Sequence, residues 1–153
     1  MDEPERIEVS DQRPVAEPVV DLASLAAVAA AVLAAEGRAE ARLSLAVLDD
    51  EQIAELHGRF LQDPTPTDVI SFPLEDEHDA LALLGEVVVS ADTAAREAAA
   101  RGLPFAEELL RYVVHGTLHL LGYDDHDPAD HDRMHARQEE LLQRYLAGPG
   151  AVD

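Results

Sequence analysis

The fold and the chemistry of this chain are decided by residues 115–126, which read HGTLHLLGYDDH. His115 and His119 are four residues apart, so on an α-helix their rings lie on one face and can reach one ion. Gly122 can take the left-handed backbone conformation that ends a helix. Further acidic and histidine side chains follow the turn directly. The stretch therefore predicts a zinc site with three protein ligands and an open position that activates water, as in metal-dependent hydrolases.

The four histidines outside residues 115–126 are interpreted as surface residues. Five of the seven histidines fall between His115 and His135, which strengthens the case for a metal site in this region. His131 and His135 are also four residues apart, but they lie in a polar helix with no turn signal after them. His57 and His78 have no potential partner nearby in the sequence, so we expect no role for them.

Composition indicates a single globular domain. The chain has 153 residues, 47% of them hydrophobic, which is enough for one core. We expect one domain over 1–153, with 1–5 and 148–153 as loose ends. There is no cysteine, so a metal would be held by nitrogen and oxygen ligands. The acidic start lacks the features of a signal peptide, and the apolar run 22–35 is too weakly hydrophobic to cross a bilayer. The expected location is the cytoplasm, with no membrane contact.

The charge balance is unusual for a protein that handles nucleic acid. The formal net charge is −21, and all eleven basic residues are arginines. Affinity for a phosphate backbone normally comes from basic patches. We interpret the acidity as compositional bias that a salt-adapted host tolerates, so any RNA contact is expected to be local and arginine-mediated.

Hydrophobic periodicity and capping signals predict an α+β fold, a small mixed sheet of about four strands covered by about five helices. Val69 to Phe72 is β-branched and aromatic and is closed by Pro73, which indicates an edge strand. An acidic loop, 75–79, follows it. The other predicted strands span 6–9, 42–48 and 85–90. The predicted helices span 22–36, 50–61, 92–101, 105–121 and 128–146, the last with Asp127 as its N-cap.

Three blocks together resemble the YbeY endoribonuclease family. They are the helix-turn segment at 115–124, PTDVISFP at 66–73 and LGEVVVS at 84–90. The resemblance extends from about Asp50 to about Glu140. It implies a single-strand-specific, metal-dependent endoribonuclease that matures ribosomal RNA, especially the 3′ end of the small-subunit RNA, and takes part in ribosome quality control. The implied cofactor is one zinc ion, and the implied partners are ribosomal RNA and the ribosome or its small subunit.

The resemblance places the first two zinc ligands on His115 and His119 and leaves the third open. The family pattern has a histidine three residues after the glycine, where this chain has Asp125. His126 comes one residue later. Read without a gap, Met134 keeps its usual offset, which favours Asp125. A loop longer by one residue would let His126 bind through a softer nitrogen with greater reach.

A second departure concerns the presumed RNA groove. The family commonly has an arginine five residues before the Pro-Thr-Asp-Val segment, and this chain has Leu61 there. Arg59 lies two residues earlier, about 200° away around an ideal helix. Arg59 could replace the missing arginine, but its different facing favours the interpretation as a surface residue without a role.

Two other functions fit parts of the sequence. A zinc peptidase of the His-Glu-x-x-His type needs a glutamate after the first histidine as general base, and this chain has Gly116 there. A ribosome-assembly factor with a mainly structural zinc would tolerate an altered third ligand. Asp124 is a conceivable base, but it fits a loop-capping role equally well, so we assign no general base.

Overall fold

The structure, a computed structural model, describes residues 7–61, 67–74, 83–124 and 126–148. The strands in this part of the chain are β1 (Ile7–Asp11), β2 (Arg42–Leu48), β3 (Val69–Pro73) and β4 (Leu83–Ser90). The helices are α1 (Leu22–Ala35), α2 (Asp50–Leu61), α3 (Ala91–Arg101), α4 (Phe105–Leu120) and α5 (Pro128–Ala147). The α+β prediction is confirmed. The acidic loop 75–79 and the expected loose ends at 1–5 and 149–153 lie outside the described residues.

The sheet is mixed, with the strand order β1-β2-β4-β3. The first three strands in this order are parallel, and β3 pairs antiparallel with β4. Strand β3 is therefore at an edge, as its closing Pro73 predicted. No helix in the described ranges is long and apolar enough to cross a membrane.

Alternation along the strands divides the core between the two faces of the sheet. Val87 and Val89 of β4 face a large cluster built with α1, α4 and α5. Val88 faces the other side and packs with Ile70 of β3 and Ile53 of α2. The helix that carries the histidine pair and the helix that carries His57 thus lie on opposite faces, and they approach each other only around the β3 edge.

The helix ends follow local capping rules, with one correction. Asp127 caps α5 as predicted, accepting a hydrogen bond from the backbone N–H of Asp130 at 2.8 Å. Helix α3 begins one residue earlier than predicted. Its N-cap is Ser90, whose hydroxyl accepts from the backbone N–H of Thr93 at 3.1 Å. A cap has extended backbone and leaves helical geometry to the next residue, so Asp92 lies inside the first turn.

Candidate metal centre

Helix α4 brings the two predicted histidine ligands together. The ring centroids of His115 and His119 are 4.8 Å apart and the rings meet edge to face, at 72°. Both side chains are partly buried. A spacing of four residues places rings one turn apart on one face of a helix, so this proximity follows directly from the sequence.

The orientation of the His115 ring is set by a residue of α5. The Nδ1 atom of His115 lies 2.8 Å from the amide oxygen of Gln138. The amide nitrogen of Gln138 donates to the carboxylate of Glu139 at 2.9 Å, which determines which end of the amide faces the ring. Because an amide oxygen only accepts, Nδ1 of His115 must carry the proton. The lone pair is then on Nε2, the atom left for a metal.

Gln138 belongs to a longer chain of buried and half-buried charges. Arg111 of α4 donates to both carboxylate oxygens of Glu139, at 2.8 and 3.1 Å, and to Glu108 at 2.6 Å. Glu108 is only 1% exposed. Hydrogen bonds to Glu139 and Glu108 outweigh burial and raise the pKa of Arg111, so its charge is permanent. Bidentate pairing of this kind adds geometric rigidity to the support beneath His115.

Burial and charge act in opposite directions on the pKa of Glu139. Burial alone would raise the pKa of this carboxyl group. Hydrogen bonds from Arg111 and Gln138 lower it by more, and the net shift is below the usual value of 4.5. Glu139 is therefore ionised at neutral pH and continues to accept from Gln138.

Gly116 lets α4 approach the sheet closely. A Cβ at this position would come within 2.5 Å of Val87 Cγ1 and within 3.1 Å of Ser71 Oγ. The Ser71 hydroxyl donates to the Gly116 carbonyl at 3.1 Å. The residue after the first histidine therefore has no room for a side chain, which excludes the glutamate that a His-Glu-x-x-His peptidase needs.

The turn after α4 is a Schellman motif. Gly122 has φ of 107° and its N–H donates to the carbonyl of His119 at 3.1 Å, while the N–H of Tyr123 donates to Leu118 at 3.1 Å. This pair of bonds defines the motif. The Tyr123 hydroxyl donates to Glu36 at 3.0 Å and so attaches the turn to the end of α1. The role predicted for Gly122 is confirmed.

In the part of the chain that the structure describes, no third ligand is assembled with the pair. In the described ranges, no group of three or more His, Asp or Glu side chains is arranged to hold an ion. His126 is exposed, and its backbone N–H donates to the Asp124 carboxylate at 3.3 Å. Asp124 thus caps its own loop, which is the role weighed against that of a base. Asp125 lies outside the described residues.

Two cavities flank the histidine pair and share His115 and Asp68 as lining residues. The smaller, of about 350 Å³, is lined by His115, His119 and, across the edge of β3, His57. The larger, of about 420 Å³, lies between α4 and α5 and reaches Tyr112 and Gln138. His57, for which the sequence offered no nearby partner, thus lies beside the histidine pair. Its approach depends on the tertiary fold, and the only signal for it in the sequence is its place on a helix that ends near β3.

His131 and His135 are exposed on α5, as predicted, with ring centroids 6.3 Å apart. Both also line the larger cavity. In the described part of the chain, these two rings do not join other side chains in a group of three or more that could hold a metal ion. His78 lies outside the described residues.

Most of the arginines that the structure describes pair with carboxylates. In the described ranges, nine of them form ion pairs at 4.0 Å or less: Arg13, Arg38, Arg59, Arg96, Arg101, Arg111, Arg133, Arg137 and Arg144. Strength differs between the pairs. Arg59 and Glu55 are 3.7 Å apart and both mostly exposed, at 64% and 72%, so this pair is weak.

Comparison with known proteins identifies the relatives of this chain. It matches the family model described as Endoribonuclease YbeY over residues 8–146. Endoribonuclease YbeY of Anaeromyxobacter dehalogenans (strain 2CP-C) is 49% identical over 119 residues, which are 78% of this chain. Endoribonuclease YbeY of Beutenbergia cavernae is 38% identical over 149 residues, which are 92% of this chain and 97% of that protein.

The extent of these matches differs from one relative to another. The matched part spans 62% and 60% of the length of the Anaeromyxobacter dehalogenans relative and of a second Anaeromyxobacter relative. The solution structure of TM1509 from Thermotoga maritima superposes with a TM-score of 0.60 at 24% identity, covering 95% of this chain and 99% of that one. That likeness supports the fold.

Proposed function

The chain belongs to the YbeY family, and on that premise we propose that it is a metal-dependent endoribonuclease that cuts single-stranded RNA. Its substrate class is ribosomal RNA, in particular the 3′ end of the small-subunit RNA, and its partner is the ribosome or its small subunit. This role includes ribosome quality control and places the protein in the cytoplasm. The observation that carries the proposal is the pair His115 and His119 beside a cavity, with the first ring already oriented by Gln138.

One zinc ion is the cofactor we propose. The donor set fits it, because two imidazoles approach one point and Nε2 of His115 has its lone pair available. The third ligand comes from the turn after Gly122, as Asp125 or His126. When bound, zinc supplies Lewis-acid charge that polarises the scissile phosphate and favours ionised water.

The protein's own residues hold this chemistry in place. Gln138 keeps the His115 proton on Nδ1 and so keeps the other nitrogen available. Arg111 and Glu139 hold the Gln138 amide in that orientation. Asp68 lines both cavities beside His115 and contributes negative charge there. No residue is assigned as general base.

Cleavage of an unstructured RNA tests the function. The protein is expected to cut an end-labelled single strand internally, to leave the matching duplex intact and to leave casein intact. Chelation should abolish cutting and zinc should restore it. His115→Ala and His119→Ala should remove activity while circular dichroism stays unchanged. Gln143→Ala, an exposed change on α5, is the matched control and should keep activity.

Two other outcomes would replace the proposal. Cleavage of casein without cleavage of RNA would indicate a zinc peptidase, although the lack of space at Gly116 argues against it. Failure to cut any RNA, combined with co-sedimentation with small ribosomal subunits, would indicate an assembly factor with structural zinc. The pairing of the described arginines with carboxylates favours that second candidate, because it leaves few free cations for phosphate.

Metal content identifies the third ligand. Zinc is measured in purified Asp125→Ala and His126→Ala, with the wild-type chain as reference. The substitution that lowers zinc well below one ion per chain identifies the ligand. Retention of zinc in both variants would show that the turn contributes no ligand.

A further inference from the structure

We propose that the exposed ring of Phe60, three residues after His57 on α2, stacks on an unpaired base of the RNA and thereby selects single strands. This inference rests on the proposed function and deepens it. It identifies how a strongly acidic chain obtains affinity for RNA.

The first argument is electrostatic. The net charge is −21, and nine described arginines already pair with carboxylates. Binding phosphate through one of them means giving up an existing ion pair. Affinity for single-stranded nucleic acid has a second source, the stacking of bases on aromatic rings, and this source does not depend on net charge.

The second argument is the exposure of one ring. The chain has three phenylalanines and three tyrosines, all within the described ranges. Phe60 is the only one of the six in the exposed class, at 57%. Its ring is nevertheless held in place, because it meets Phe72 edge to face with centroids 5.6 Å apart and planes at 73°. A ring that is supported at its edge loses little conformational entropy on binding.

The third argument is position. Phe60 lies three residues after His57 on α2, so both occupy the same face of that helix. His57 lines the cavity that contains His115 and His119, and Pro73, which directly follows Phe72, lines it too. The exposed ring therefore lies about one helical turn from a residue that lines the histidine cavity, on the side of the β3 edge.

Arg59 adds a cation next to this ring. Its pair with Glu55 is long and exposed, unlike the tight pairs of Arg111 and Arg137. Redirecting Arg59 toward a phosphate therefore costs little. A phosphate beside the stacked base can therefore be neutralised without breaking a buried network.

Only unpaired bases can stack on the ring of Phe60. In a duplex the bases are stacked on each other, whereas in single strands their faces are available for aromatic side chains. Stacking of this kind is tolerant of sequence, because every base has a π face. The proposed site therefore discriminates single strands from duplexes without reading a particular base.

The test measures binding separately from cleavage. A fluorescein-labelled, unstructured 2′-O-methyl RNA is titrated with the full-length, zinc-loaded protein, and KM and kcat are measured with the unmodified RNA. Phe60→Ala and Phe60→Leu should weaken binding and raise KM by roughly five- to one-hundred-fold, the effect of losing one stacked base. The value of kcat should change less than about twofold, since the metal centre is intact. Phe60→Trp should retain or improve affinity.

Controls separate stacking from packing. Phe60→Leu keeps an apolar contact on Phe72 but lacks a π face, so its thermal unfolding should remain close to that of wild type. Val19→Ala removes an even more exposed apolar side chain, at 84%, from the segment before α1 and should leave RNA binding unchanged. Weak binding of a duplex should be the same for all variants.

The outcomes are distinguishable from failure of the proposed function. If the wild-type protein neither binds nor cuts the single strand, the function itself is wrong. If wild type binds and cuts but Phe60→Ala and Phe60→Leu behave like it, the stacking site is wrong. Loss of association with small ribosomal subunits without loss of RNA binding would also overturn it and would indicate a protein contact at Phe60.

Discussion

At the scale of single residues, the candidate centre depends on residues that are not themselves proposed as metal ligands. Gln138 determines which nitrogen of His115 carries the proton, and Gly116 allows the helix to lie against the sheet. Nδ1 of His115 lies 2.8 Å from the amide oxygen of Gln138. At Gly116, an added Cβ atom would come within 2.5 Å of Val87. Their contributions can be measured one at a time.

Replacing Gln138 should weaken metal binding. In Gln138→Ala the His115 ring loses the acceptor that holds its proton on Nδ1, and loss of such a partner typically costs 10- to 100-fold in metal affinity. Zinc affinity is measured by competition with a chromophoric chelator. Gln143→Ala on the same helix is the control and should bind like wild type. Equal affinities for the two variants would contradict the proposed role of Gln138.

Adding one methyl group at Gly116 should destabilise the fold. The new Cβ meets Val87, a β-branched side chain that is fully buried and cannot rotate away. We expect Gly116→Ala to lower the free energy of unfolding by about 1–3 kcal/mol, measured in urea. In Gly116→Ala with Val87→Ala the loss should be smaller than the sum of the two single losses. If the two losses in free energy were additive, the added methyl group would not clash with Val87.

At the scale of elements, α4 and α5 act as one unit. Arg111 joins them through Glu139, and the Schellman turn and the Asp127 cap define the loop between them. The undescribed residue 125 and the exposed His126 belong to that loop. Stability of these two helices therefore controls both His115, the first proposed metal ligand, and the connection that carries the candidates for the third.

Removing the α5 cap tests the element directly. Asp127→Ala loses the acceptor for the Asp130 N–H, and such losses typically cost about 1 kcal/mol of the free energy of unfolding. Asp132→Ala, an exposed change in the same helix, controls for the lost negative charge. The free energy of unfolding, measured by chemical denaturation, should be lower for Asp127→Ala than for Asp132→Ala. Equal stability would mean that water satisfies the N–H as well as Asp127 does.

The ion pair between α4 and α5 should weaken in acid. The pKa of Glu139 is lowered in the folded state, so its stabilising contribution is complete above the unfolded pKa and is lost as pH falls through the folded pKa. The stability difference between wild type and Glu139→Gln should thus be constant near neutral pH and shrink below about pH 4.5. Urea midpoints across this range measure it. A stability difference that grows in acid would contradict a lowered pKa of Glu139 in the folded state.

At the scale of the whole molecule, charge is the dominant feature. A net charge of −21 on 153 residues means that the folded chain repels itself, even though its arginines form ion pairs. The same excess repels RNA. In the proposed function, two local features offset this repulsion. They are base stacking on Phe60 and the metal ion bound by the histidine pair.

Salt should stabilise the protein. Raising NaCl from about 0.01 M to about 1 M shortens the screening length from about 30 Å to about 3 Å. Screening of the net charge should outweigh screening of the ion pairs and raise Tm by about 3 °C or more, the effect of about 1 kcal/mol in a domain of this size. Tetramethylammonium chloride, which excludes specific binding of sodium, should act similarly. A fall in Tm would show that the ion pairs contribute more than the net repulsion costs.

The sequence by itself determined the features that depend on neighbours along the chain. The four-residue spacing brings His115 and His119 together, Gly122 takes the left-handed turn, and Asp127 caps α5, because each relation spans at most one or two helical turns. The proline that closes β3 likewise predicted that this strand lies at an edge of the sheet.

Only the tertiary structure decided which distant residues serve the site. Gln138 lies 23 residues after His115, and His57 comes from a helix on the other face of the sheet. Neither residue carries a local signal, since any glutamine or histidine on a helix has the same periodicity. Their roles arise where chain segments far apart in sequence pack together, and that packing is set by the whole core.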